Sequence, residues 1–189
     1  MILPVIAYGN PILKQKSKDI SSHLPWVDML IKNMWKTLYS ANGAGLAAPQ
    51  VGRPVRLFIV DTVQVYDHSS FKEKEMFIGD TGIKEVFINP SIIETSGKRW
   101  TENEGCLSLP GLELEIERNI LVTIKYLDEN FIGQEKTFIG TTARTVLHEY
   151  DHIEGVLISD YINNEEIKDE LEKISSGHIK VNYKMKFNK

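Results

Sequence analysis

The feature that most constrains this chain is the string at residues 148–152, which reads His-Glu-Tyr-Asp-His. On a helix, residues four apart lie on the same side, so His148 and His152 can bind one divalent metal ion between them. Glu149 then lies next to the first histidine, aimed at a water molecule on the metal. The string therefore predicts a helix and a hydrolytic centre. A bare His-Glu-x-x-His also arises by chance in roughly one chain in a hundred of this size, so a third ligand must decide.

The composition predicts one folded domain spanning residues 1–189, because 42% of the residues are hydrophobic and no Gly/Ser/Pro-rich linker interrupts them. The net charge of -4 gives no basic field of the kind that attracts nucleic acid or anionic lipid, so neither DNA nor a membrane is an expected partner. No apolar run approaches the ~18–20 residues that span a bilayer. The single cysteine, Cys106, fits a reducing compartment, and we expect a cytoplasmic protein.

Hydrophobic periodicity predicts an α+β fold in which antiparallel β-sheets pack around a central helix that carries residues 148–152. Apolar residues recur at helical spacing from Pro25 until Asn42 and Gly43 stop the pattern. The helix with the two histidines is expected to end at Gly155. A further short helix is predicted over about residues 164–175.

Alternating or β-branched stretches predict strands at 55–60, 85–90, 112–117, 120–127 and 134–139, the last three forming an antiparallel meander. The tail, 179–187, is predicted to be a final strand with lysines on one face. Those lysines are most simply solvated, and a transient contact with ribosomal RNA is the second interpretation. The charged segment 62–84 is expected to be an exposed hairpin or insertion. Residues 43–52 are too rich in Gly and Pro for a regular element, yet apolar enough to lie against something buried.

A catalytic metal site needs three protein ligands and one open position, so the third ligand decides which enzyme the sequence predicts. One candidate is Cys106, in the turn 104–110 between two predicted strands, where a thiolate could point towards a helix. The alternatives are three carboxylates on the later helix: Glu165, Glu166 and Glu170. Spacing alone leaves the choice even, and Cys106 could equally be a small buried hydrophobic residue. Other residues already supply the apolar face of that later helix, so its glutamates are expected to face solvent and Cys106 is favoured.

Three stretches of the chain resemble, in order, the signature motifs of bacterial peptide deformylase. They are Gly-Ala-Gly-Leu-Ala-Ala-Pro-Gln at 43–50, Glu-Gly-Cys-Leu-Ser at 104–108, and the string at 148–152. The resemblance extends between them and covers roughly residues 1–162. Two stretches depart from the commonest pattern: 62–84 is longer and more charged, and the chain ends in a predicted strand where many members end in a long helix.

The resemblance implies a hydrolase that removes the formyl group from the N-terminal methionine of newly made polypeptides, so its partners are N-formyl-Met nascent peptides. It implies one metal ion held by Cys106, His148 and His152, with water in the fourth place. Ferrous iron is the metal that the family implies. A mixed sulfur and nitrogen site also suits zinc, nickel or cobalt as substitutes.

The resemblance also assigns roles around the metal. Glu149 takes a proton from the water and passes it to the departing amine. The side-chain amide of Gln50 and the backbone N–H of Leu107 stabilise the developing oxyanion, and loss of such a donor typically costs ~2.7–4 kcal/mol. Gly45 and Gly105 contact the substrate backbone, which approaches closely because neither residue has a side chain. Without the resemblance, Gln50 is more simply a loop residue that satisfies local backbone groups.

Two other classes of function remain as alternatives from the residues alone. A small metallopeptidase would use a carboxylate as its third ligand. A structural metal site, which only stabilises the fold, would be closed by four protein ligands.

Overall fold

The computed structural model describes residues 1–177, so the predicted tail strand at 179–187 lies outside the described part of the chain. The helices are α1 (Pro25–Ser40), α2 (Val63–His68), α3 (Phe71–Lys74), α4 (Gly140–Glu154) and α5 (Lys168–Ser175). Short 3-10 turns lie at Pro11–Lys14, Ala48–Val51, Glu75–Phe77, Ile158–Tyr161 and Asn164–Glu166. The predicted first helix is confirmed: it begins at Pro25, and Asn42 just beyond its end has a left-handed backbone. Within residues 1–177, no helix has the length and apolar character needed to cross a membrane.

One five-stranded antiparallel sheet forms the centre of the described structure. Its strands are β1 (Gly45–Ala47), β2 (Leu57–Asp61), β3 (Lys84–Cys106), β4 (Leu109–Leu127) and β5 (Gly133–Ile139), and they lie side by side in chain order. The α+β class is therefore confirmed. The prediction of more than one antiparallel sheet is wrong for residues 1–177, because β3 and β4 pass through register shifts without breaking and so keep the strands of this part of the chain in one sheet.

Two predicted strand boundaries are corrected by this sheet. The stretches 112–117 and 120–127 belong to one strand, β4, because Arg118 and Asn119 continue the ladder with β3 instead of turning. The predicted strand at 85–90 runs on to Cys106, because Asn89 and Pro90 form a bulge rather than an end. Asn89 has φ +47°. Its side-chain amide accepts a hydrogen bond from the Ile20 N–H and donates one to the Ile20 carbonyl oxygen.

The hairpin predicted for segment 62–84 is wrong, because most of the segment is helical; the alternative, a largely exposed insertion, agrees with the structure. We call the helical part, residues 63–77, the cap. The side chain of Ser70 accepts from the Glu73 N–H while the Glu73 carboxylate accepts from the Ser70 N–H, which starts α3 with a capping box. Phe77 is fully buried and anchors the segment on the rest of the molecule. The predicted later helix begins only at Lys168, after a 3-10 turn.

The segment 43–52 is buried as predicted, but it is more regular than predicted. It contains β1, the edge strand of the sheet, followed by the 3-10 turn at Ala48–Val51. Helix α4 packs against β1, β2, β4 and β5, and ends at Gly155 in a left-handed conformation, as the sequence predicts. This packing places α4 beside the first and second of the sequence motifs.

Candidate metal centre

Cys106, the last residue of β3, meets two histidines of α4. One ligand atom from each of Cys106, His148 and His152 lies within 4.8 Å of the others, and all three residues are buried. The Cys106 sulfur is 3.3 Å from Nε2 of His152. One sulfur and two imidazole nitrogens form a donor set that suits zinc, ferrous iron and related transition metals. Cys106, His148 and His152 therefore fit the metal ion that the sequence predicts.

The competing carboxylates do not join this cluster. Glu165, Glu166 and Glu170 are exposed, as expected from the apolar face of their helix. Between residues 1 and 177, no fourth histidine, cysteine or carboxylate completes the group. A site with three protein ligands leaves a position for water or substrate, whereas structural sites are closed by four.

A buried carboxylate orients the first histidine. Glu104 accepts from Nδ1 of His148 at 3.0 Å and from two nitrogens of Arg118 at 2.6 and 2.9 Å. Arg144 donates to the same carboxylate at 2.6 Å. Although burial raises the pKa of Glu104, the hydrogen bonds from His148 and Arg118 hold it at about 2, so the group is an anion. With Nδ1 engaged, the Nε2 atom of His148 is left for the cluster.

This network around Glu104 is not among the sequence-based predictions, although the chain carries two signals of it. Arg118 follows Leu114 and Ile116 in the inward phase of β4, where an arginine needs a buried anionic partner. Arg144 lies four residues before His148 and so shares its helix face.

Glu149 lies beside the cluster and against the edge strand. Its side chain is buried, and within residues 1–177 its Oε2 atom has no hydrogen-bond partner. Burial raises the pKa of Glu149 to about 7, and a cation at the neighbouring cluster would oppose that rise. A Cβ atom built on Gly45 would lie 2.5 Å from Oε1 of Glu149, so any larger residue at position 45 would displace the Glu149 side chain.

The Gln50 side chain is held with its amino group towards Cys106. Its Oε1 accepts from the Ala47 N–H at 2.8 Å. Its Nε2 lies 3.3 Å from the hydroxyl of Ser108 and 3.7 Å from the Cys106 sulfur. Leu107 follows in the same turn between β3 and β4.

These groups surround one open cavity of about 840 Å³, which is the size of a small-ligand or peptide pocket. Among its lining residues are Gly45, Gln50, Gly105, Cys106, Leu107 and Glu149. The structure thus brings every sequence-predicted site residue to the cavity or, for His152, to the cluster next to it. A Cys-His-His cluster with an open position, beside a buried glutamate and a cavity, is typical of the mononuclear metal-dependent hydrolases.

Comparison with known proteins gives the family. The family model described as "Polypeptide deformylase" matches residues 2–168. A protein named peptide deformylase from Christiangramia forsetii is 47% identical over 190 residues, covering 99% of this chain and 96% of the relative. Another of that name, from Flavobacterium johnsoniae, is 40% identical over 193 residues, covering 99% of this chain and 96% of the relative. The chain belongs to the polypeptide deformylase family.

Solved structures agree on the fold. The crystal structure of peptide deformylase from Ehrlichia chaffeensis has a TM-score of 0.84 at 26% identity and covers 94% of this chain and 97% of its own. A peptide deformylase from Synechococcus elongatus, in complex with actinonin, has a TM-score of 0.76 at 34% identity and covers 93% of this chain and 87% of its own.

Proposed function

We propose that this chain is a metal-dependent hydrolase that removes the N-formyl group from the N-terminal methionine of newly synthesised polypeptides. The observation that carries the proposal is the meeting of Cys106, His148 and His152 beside Glu149, in a chain of the deformylase family. The proposal treats residues 1–189 as one catalytic domain. In it α4 is the central helix on which the antiparallel sheet packs, and it carries the His-Glu-x-x-His string.

Cys106, His148 and His152 are proposed to hold the metal ion. Ferrous iron is assigned from the family resemblance, with zinc, nickel or cobalt as substitutes that the same donor set accepts. When bound, such a cation supplies Lewis-acid chemistry, polarising a carbonyl group and lowering the pKa of water. Glu104 supports the site by holding His148 through its Nδ1 atom.

Glu149 is proposed as the general base and then the general acid. Its Oε2 atom has no partner among residues 1–177, and its carboxylate adjoins both the metal cluster and the cavity. It is therefore placed to take a proton from the attacking water and deliver it to the nitrogen of the departing amine. The absence of a side chain at Gly45 leaves the room that this carboxylate occupies.

Gln50 and Leu107 are proposed to donate hydrogen bonds to the formyl oxygen as negative charge develops on it. The Ala47 N–H holds the Oε1 atom of Gln50, which turns Nε2 towards Cys106. Because the Gln50 amide is already oriented before the reaction, no free energy of reorganisation is spent as the oxyanion forms, which is the condition for effective oxyanion stabilisation. Leu107 contributes its backbone N–H from the turn directly after Cys106.

The peptide is proposed to lie in the cavity as an added strand. Strand β1 is at the edge of the sheet, and Gly45 and Gly105 both line the cavity. An extended peptide can therefore bond to backbone groups on both sides of the cavity, while its methionine side chain occupies an apolar part of the pocket.

The partners follow from this substrate. N-formyl-Met nascent peptides are made in the bacterial cytoplasm, so we propose a cytoplasmic location, which agrees with the single cysteine. A transient ribosome contact is proposed for the lysine-bearing tail, on sequence grounds alone: Lys180, Lys184 and Lys186.

The test is an assay of anaerobically purified protein with two matched peptides, formyl-Met-Ala-Ser and acetyl-Met-Ala-Ser. The proposal predicts formate release from the first and no acetate release from the second, because an added methyl group has no room near the metal. Cleavage of internal peptide bonds in place of formate release would instead support the small metallopeptidase.

A further inference from the structure

The helical segment between β2 and β3 has no role in the chemistry described above, yet its residue Gln64 contacts Gly43, which lines the cavity. This cavity, where the peptide is proposed to bind, is the peptide groove. We infer that Gln64, in the first turn of α2, is a positioning residue that fixes one wall of this groove. Its Nε2 atom donates to the carbonyl oxygen of Gly43 at 2.9 Å. This inference rests on the proposed function, since it assigns the cap a part in binding the same peptide substrate.

Gln64 is itself held in place. Its backbone N–H lies 3.2 Å from Oδ1 of Asp61, and the hydroxyl of Tyr39 donates to the other oxygen of that carboxylate at 2.7 Å. The Asp61 N–H donates to the carbonyl of Ala44 at 2.8 Å. The buried end of β2 therefore anchors both the start of α2 and the segment that Gln64 contacts.

The segment that receives this hydrogen bond forms one wall of the cavity. Residues 42–45 all line the cavity. Asn42 has φ +54°, so α1 does not continue into this segment, which is irregular until β1 begins at Gly45. A Cβ atom on Gly43 would lie 2.8 Å from a methyl carbon of Leu38 and 3.0 Å from one of Leu107. Gly43 thus packs against the side chain of Leu107 and not against its backbone N–H, so a displacement of the Gly43 carbonyl would move the groove wall rather than the proposed oxyanion donor.

Loss of the Gln64 hydrogen bond should act on peptide binding more than on the chemical step. In the proposed added-strand binding mode, a peptide of three residues would run along the wall, whereas formyl-methionine alone would occupy only the end of the cavity next to Cys106, His148 and His152. A hydrogen bond of this kind typically changes an equilibrium by about three- to tenfold. The expected effect is therefore a rise in KM of about that size for the longer substrate.

The experiment compares Gln64→Ala and Gln64→Glu with the wild-type holoenzyme, on formyl-Met-Ala-Ser and on formyl-methionine. Gln64→Glu keeps the shape of the side chain and removes the donor. The matched control is Ser69→Ala, which loses the hydroxyl bond to the Val65 carbonyl within the same cap and leaves the groove wall untouched.

Both Gln64 variants are expected to raise KM for the tripeptide while kcat and the formyl-methionine kinetics stay as in the control. An unchanged KM for the tripeptide, or an equal loss on both substrates, would overturn the inference and leave the proposed function standing. Absence of formate release by the wild-type holoenzyme from either substrate would overturn the proposed function and this inference together.

Discussion

The Cα atom of Gly45 and the carboxylate of Glu149 are so close that a Cβ atom on residue 45 would lie 2.5 Å from Oε1. The first residue belongs to the edge strand and the second to α4, so this contact sets the spacing between the peptide groove and the proposed base.

Gly45→Ala is accordingly expected to reduce kcat/KM by on the order of 10²-fold, because the carboxylate must move by about an ångström. Gly133→Ala is the matched control, since a Cβ there meets nothing within 4 Å. Formate release by the two variants is the measurement. Wild-type activity in Gly45→Ala would show that the contact does not matter for catalysis.

Cys106→Ser is expected to abolish tight metal binding, because a serine hydroxyl at neutral pH is a poor replacement for a thiolate ligand. Metal content per chain after gel filtration measures this. Glu165→Gln is expected to retain the metal, since that residue is exposed and outside the cluster. The opposite pattern would favour the metallopeptidase.

Glu149→Gln is expected to keep the metal and to lose about 10²–10⁴-fold in kcat, the usual contribution of a general base. The thermal midpoint of the metal-free variant should be at least that of the metal-free wild type, because the substitution removes the charge of a buried carboxyl group whose pKa burial raises to about 7. Parallel measurements of metal content, kcat and melting separate these effects. An active Glu149→Gln enzyme contradicts the assigned role.

Glu104→Gln is expected to weaken metal affinity by about 10–100-fold, since the substitution disturbs the group that orients His148. It should also destabilise the fold by about 3–5 kcal/mol, because Arg144 loses its anionic partner and Arg118 keeps only its ion pair with Asp151, while both arginines stay buried.

The matched control for Glu104→Gln is Glu117→Gln on β4. Its ion pair with Arg99 is solvent-exposed, so that change should cost about 0–1 kcal/mol. Urea unfolding of the metal-free proteins and a cobalt titration measure the two effects. Equal stabilities in the two variants would show that the buried network is not needed.

The sequence could predict the histidine pair of the candidate metal site from local information, and it could offer Cys106 as one candidate for the third ligand. Two histidines four residues apart define one helix face, and the lone cysteine sits in a turn whose flanking strands are recognisable from their alternation. The resemblance to the deformylase family then predicted that these two stretches and Gln50 belong to one site.

The network around Glu104 could not be predicted in the same way. Its partners lie 14 positions away on β4 and 40 away on α4. The register of the long hairpin pairs Glu104 with Leu114, and only this pairing brings Arg118, further along β4, within hydrogen-bond distance of the carboxylate. The inward phase of Arg118 signals a buried anion without saying which one.

The cap at 63–77 was missed for a different reason. Helices as short as α2 and α3 are marginal by themselves, so local sequence gives them little signal. They are stabilised by tertiary contact, chiefly the buried ring of Phe77 packed edge-on against Tyr66.

The central claim is that one metal ion, held by a thiolate and two imidazoles, serves deformylation. The most direct test titrates metal-free protein with Fe²⁺ under anaerobic conditions and follows formate release from formyl-Met-Ala-Ser. The account predicts no release before metal is added and a linear rise that ends at one equivalent per chain. Formate release by the metal-free protein, or full activity restored to Cys106→Ser by the same titration, would contradict it.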